Sequence, residues 1–111
     1  MNTVVIVGRV CRNPEVKNFE SGKTKANFSV AVNRWDSKTK AEVTDWFNVD
    51  VWDKQAEFAG EYVKKGILVA IDGRIQQDKW QDKASGEDRA RYIIVANNIR
   101  LLGSKRDAEV L

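Results

Sequence analysis

The sequence predicts an all-β domain, a five-stranded antiparallel Greek-key barrel with one short helix between its third and fourth strands. Three observations carry this. Apolar and polar residues alternate with period two over several long runs, as strands packed on one face require. A stripe of apolar residues at helical spacing follows Asp53. The chain has 111 residues, which suits one domain with one core.

The first strand is expected over residues 3–12. Asn13-Pro14-Glu15 then bends or breaks it, because Pro14 has no N–H for a ladder, and residues 16–19 resume it briefly. Glu20-Ser21-Gly22-Lys23 is a turn signal. The second strand, residues 25–34, points Ala26, Phe28, Val30 and Val32 inward. Residues 35–43 form a projecting polar hairpin, and the third strand, 44–52, points Phe47, Val49 and Val51 inward. Asp53 opens the helix, with its carboxylate placed to cap the first amides. Ala56, Ala59 and Val63 make the apolar stripe, with Tyr62 alongside. Lys64 and Lys65 suit the negative end, and Gly66 the left-handed close. The fourth strand, 67–76, points Ile67, Val69, Ile71, Gly73 and Ile75 inward. Gly8-Arg9 and Gly73-Arg74 are expected to end strand-like runs. A second polar hairpin follows over 78–88, then a fifth strand over 89–102. The domain is expected to span residues 1–103, with 104–111 as a short extension.

Composition narrows the function classes. Apolar residues make up 42% and charged residues 32%, a globular balance. No apolar run approaches the ~20 residues of a membrane span, and the start lacks the pattern of a signal peptide. Cys11 is the single cysteine and there is no histidine. This removes Cys/His zinc sites and His-dependent nucleophile arrangements, so no metal, cofactor or catalytic residue is expected, and the chain is not read as an enzyme.

The tryptophans are the informative residues. In 44–52 the face opposite Phe47, Val49 and Val51 carries Trp46, Asn48, Asp50 and Trp52. Trp35 continues the polar face of Asn27, Ser29, Ala31 and Asn33, and Trp80 continues that of Asp72, Arg74, Gln76 and Asp78. A tryptophan in a strand is more often core, and oligomer interfaces also use aromatics. Four on polar faces favour platforms for a flat ligand, and every nucleic-acid base has a π-face. Net charge is only +3, so distribution matters more than total. Arg34, Lys54, Arg74 and Lys79 lie beside the tryptophan positions and are the candidate phosphate contacts. Asp50 and Asp78 would weaken such contacts locally. Trp35 and Trp80 are expected at the bases of their hairpins. Val5 and Val7 leave an exposed apolar strand face that calls for a covering subunit.

Three strands, a helix and two strands is the order of an OB-fold, whose second and third strands and projecting loops bind oligonucleotides. The chain also resembles the bacterial and organellar single-stranded DNA-binding protein family. The resemblance covers residues 2–103. It rests on Asn2-Thr3-Val4-Val5-Ile6-Val7-Gly8-Arg9, Asn13-Pro14-Glu15-Val16, Ala26-Asn27-Phe28-Ser29-Val30, Asp45-Trp46-Phe47-Asn48-Val49, Trp52-Asp53-Lys54-Gln55-Ala56-Glu57, Glu61-Tyr62-Val63-Lys64-Lys65-Gly66 and Lys79-Trp80. It implies base stacking at Trp35, Trp46, Trp52 and Trp80 and sequence-independent binding of single-stranded DNA in replication, recombination and repair. It further implies a homotetramer, with a dimer as the alternative, in the cytoplasm and nucleoid or in an organellar matrix or stroma. Typical members end in an acidic, Phe-tipped tail that recruits enzymes. Asp107-Ala108-Glu109-Val110-Leu111 does not match it, so recruitment by that route is not expected. The competing readings are a replication-restart protein resembling primosomal replication protein B, a protein-interaction module with tryptophan hot spots, and an RNA-binding OB-fold.

Overall fold

The computed structural model describes residues 1–102, so the extension expected over 104–111 lies outside the described residues. The elements are β1 (Val4–Val10), β2 (Glu15–Asn18), β3 (Thr24–Asp36), β4 (Ala41–Trp52), α1 (Lys54–Tyr62), β5 (Leu68–Gln81) and β6 (Asp88–Leu101). The sheet order is β1-β5-β6-β4-β3-β2, and β1 also pairs with β3. That last pairing closes a five-stranded barrel of β1, β5, β6, β4 and β3, with β2 attached outside along β3. This is the OB-fold expected from the sequence. The helix lies between β4 and β5 because the short β2 counts as a strand of its own. The ladders are antiparallel except for a short parallel contact of β4 with β6, at Val49–Ile94 and Asp50–Val95.

The core follows the alternation. Ala26, Phe28 and Val30 on β3, Val49 and Val51 on β4, and Val69 and Ile71 on β5 are buried against one another. Ala56, Ala59 and Val63 bring the stripe of α1 onto the same cluster. Gly8 and Gly73 lie inside strands and do not end strand runs. A Cβ on Gly8 would overlap the carbonyl oxygen of Ala31, where β1 closes on β3, and one on Gly73 would overlap that of Val95. Both are close backbone approaches that only glycine permits.

Three local expectations are corrected. Asp53 does not cap the helix with its side chain. Its carboxylate accepts from the Thr24 N–H (3.2 Å), and its own N–H donates to the Thr24 carbonyl (2.7 Å), so it ties the end of β4 to the start of β3. Gly66 has φ 92°, but it closes the Lys64–Ile67 turn beyond the helix rather than the helix itself. Ile75 is 44% exposed although its parity is inward. It lies past Gly73, where the β1–β5 ladder ends at Val4, so β1 no longer flanks it as β5 and β6 run on toward a projecting two-stranded ribbon.

That ribbon and its counterpart are the main departure from the expected boundaries. β3 and β4 stay paired as far as Asp36–Ala41, and β5 and β6 as far as Gln81–Asp88. Neither face of a projecting ribbon is buried, so the hydrophobic alternation that reveals a strand fades there. Trp35, opposite Glu42, and Trp80, opposite Arg89, consequently lie near the ribbon tips and not at their bases.

Candidate nucleic-acid interface

The β3–β4 ladder runs unbroken from Lys25–Trp52 to Asp36–Ala41. Its outward face therefore carries one continuous set of cross-strand pairs, among them Lys25–Trp52, Asn27–Asp50, Ser29–Asn48, Ala31–Trp46 and Trp35–Glu42. Trp35, Trp46 and Trp52 share that face. At ~3.4 Å per residue, about 14 Å of strand separates the Trp35 rung from Trp46, and about 20 Å separates Trp46 from Trp52. Trp35 is 64% exposed and Trp46 66%, large values for side chains that a monomeric fold would otherwise bury.

Trp46 stands on a ridge between two clefts. One is lined by Arg9, Val10, Cys11, Ala31, Asn33, Lys65 and Gly66 together with Trp46. The other opens where β4 and β6 diverge and is lined by Val4, Phe47, Asn48, Ile75, Tyr92, Ile93 and Ile94 with Trp46. The first places two cations, Arg9 and Lys65, beside an exposed indole. Arg9 comes from β1 and Lys65 from the loop after α1, so only closure of β1 onto β3 brings them to Trp46, and sequence proximity could not reveal them. In the same cleft, burial pushes the Cys11 thiol up, with Arg12 pulling partly against it, so the thiolate form is disfavoured.

Trp80 lies apart, on the second ribbon. Its ring has the Arg91 guanidinium 5.9 Å from its centroid. Arg91 also pairs with Asp78 at 3.7 Å, and Arg89 pairs with Asp82 (3.5 Å) and Glu87 (3.6 Å). Asp78 is therefore compensated by a cation that also sits on the indole. Arg91 is eleven residues from Trp80 in sequence, and the strand register signals their contact.

The four expected phosphate residues are not equivalent. Lys54 is exposed at the start of α1, two residues past Trp52. Arg74 is exposed on the outward face of β5, in a row with Val95 and Asp50 across β6 and β4. Arg34 and Lys79 each directly precede a tryptophan, so strand alternation turns them to the other face of their ribbons. Arg34 donates to Asp45 at 2.7 Å. That hydrogen bond, and then the charge of Asp45, raise the Arg34 pKa above its ordinary value.

Asp50 is corrected. It is not an exposed anion on the outward face but is buried at 3% exposure. Asn27 donates to its carboxylate at 2.7 Å, and Lys25 lies 3.5 Å away. Arg12 in turn donates to the Asn27 side-chain oxygen. A carboxylate so shielded and paired repels an approaching phosphate much less than a free one.

Residues 1–102 match the single-strand binding protein family. The chain belongs to that family. Its relatives include "Single-stranded DNA-binding protein 1" of Synechocystis, 52% identical over 107 residues that make up 96% of this chain and 88% of the relative. The "Single-stranded DNA-binding protein" of Thermosynechococcus vestitus is 44% identical over 109 residues, 98% of this chain and 88% of the relative. That of Neisseria meningitidis is 42% identical over 110 residues, 96% of this chain but 63% of a longer relative. Family membership accords with the barrel. No helix among the described residues is long and apolar enough to cross a membrane.

Proposed function

We propose that this chain binds single-stranded DNA without sequence preference, coating and protecting it during replication, recombination and repair. Bases stack on Trp35, Trp46, Trp52 and Trp80, and Arg34, Lys54, Arg74 and Lys79 supply phosphate contacts. The observation that carries the reading is the line of Trp35, Trp46 and Trp52 on one polar face of the β3–β4 ladder. Rings on a wet face have little to do for the fold, and base stacking is sequence-tolerant because every base offers a π-face. Arg9 and Lys65 beside Trp46, and Arg91 beside Trp80, join the phosphate contacts. The function is binding, with no chemical step, and residues 1–103 form the binding domain.

Self-association belongs to the same proposal. Val5 is 68% exposed and Val7 48%, both on the outward face of β1. That apolar face supports a covering subunit, in a homotetramer or a dimer. A cytoplasmic, nucleoid-associated setting, or an organellar matrix or stroma, suits the DNA ligand.

Tryptophan fluorescence tests the function. Titration with oligothymidine should quench strongly, and duplex DNA of matched length should quench little. Oligo-uridine is the third arm, since the 2′-hydroxyl is what separates RNA from DNA. Equal quenching by oligo-uridine would make the chain a general single-strand binder, and no response to any of the three would overturn the proposal.

A further inference from the structure

Trp52 is the least exposed of the four tryptophans, at 38%. Phe19 covers part of it: the ring centroids are 5.9 Å apart and the planes differ by 26°, a stacked pair. Phe19 stands where β2 turns into β3. Its N–H donates to the Lys23 carbonyl (2.8 Å) and its carbonyl accepts from Gly22 (3.0 Å), so a closed turn holds the ring in place. It remains 38% exposed and is not part of the barrel core.

The charges around this pair follow one row. Lys17 on β2 is opposite Lys25 on β3, and Lys25 is opposite Trp52 on β4. The Lys17 ammonium lies 5.8 Å from the Phe19 centroid, and that of Lys25 lies 5.7 Å from the Trp52 centroid. Like charges directly opposed on adjacent strands destabilise a sheet. Asp50, 3.5 Å from Lys25, offsets one of them, and among the described residues Lys17 has no ion-pair partner. The row costs stability in the free protein and gains from a bound anion.

We infer that Phe19 and Trp52 form a composite two-ring platform for a base beyond Trp46, with Lys17 and Lys25 holding the phosphates at its two ends. The inference rests on the proposed single-strand binding and extends the site onto the β2–β3 hairpin. The strand of DNA follows β4 from Trp46 to Trp52 and then crosses β3 toward β2, two strand spacings or about 10 Å away. A ring already fixed by its turn and its neighbour loses little freedom when a base arrives.

Fluorescence anisotropy of labelled oligothymidine over a range of salt tests this, with the full chain as parent and with Phe19→Ala, Phe19→Leu, Phe19→Tyr, Lys17→Ala and Trp46→Ala. Phe19→Ala and Phe19→Leu should each weaken binding about tenfold, while Phe19→Tyr stays near the parent. Lys17→Ala should lower the salt slope of log affinity by about 0.7. Phe19→Leu keeps apolar bulk without a π-face, so parent-like binding by Phe19→Leu would reduce Phe19 to packing and overturn the inference. Parent-like binding by Phe19→Ala with weakened Trp46→Ala would overturn the inference alone. Parent-like binding by both would overturn the stacking reading as well.

Discussion

Trp46→Ala isolates the stacking term. About a third of the ring is buried in the free protein, since its exposure is 66%. With ~250 Å² as the upper end of what a tryptophan can bury, the variant exposes at most ~80 Å² more, or about 2 kcal/mol at ~25 cal/mol per Å², an upper bound. The core does not include Trp46, so the fold should persist. Binding should fall by about 1–3 kcal/mol, the range that base–aromatic stacking spans in single-strand-binding OB-folds, which is about 5- to 150-fold in Kd. No charge is removed, so the salt slope should match that of the parent. The assay is anisotropy of labelled oligothymidine at several salt concentrations, with circular dichroism to establish folding. A folded Trp46→Ala protein that binds with the parent's Kd would refute the argument that outward parity makes a platform. A changed salt slope would mean that the substitution disturbed Arg9 or Lys65 rather than removing a ring.

Three further outcomes are expected. Lys54→Ala should lower the salt slope by about 0.7, whereas Arg34→Ala should lower it less, because Arg34 is already engaged by Asp45 at 2.7 Å; equal drops in the two slopes would remove that distinction. Val5→Glu should shift the protein to a smaller assembly in light scattering while leaving the barrel folded, and an unchanged mass would reject β1 as the contact. Gly73→Ala should destabilise by about 1–3 kcal/mol in urea unfolding, because the added Cβ meets the rigid Val95 carbonyl, and wild-type stability would mean that β6 yields there at no cost.

What the sequence determined by itself is what local periodicity can encode. Inward Phe28, Val30, Val49 and Val51, and the stripe Ala56, Ala59 and Val63, share one core because alternate strand positions and helical spacing each select a single face. The outward parity of Trp35, Trp46 and Trp52 was legible for the same reason, since no bulge interrupts β3 or β4. The order of elements was enough to specify the barrel. Tertiary structure decided everything that depends on which strands meet. Asp50 shares its parity with the two exposed tryptophans of β4 but is buried, because its neighbours across the sheet are Asn27 and Val95. Ile75 shares the parity of the core but is exposed, because the β1–β5 ladder ends two residues before it, at Gly73. Arg9, Lys65, Arg91 and Phe19 reach the tryptophans only through long-range pairing and turn closure. A single chain pattern records which face a residue takes but not what lies opposite it, and the charge and stacking at this interface are set by what lies opposite.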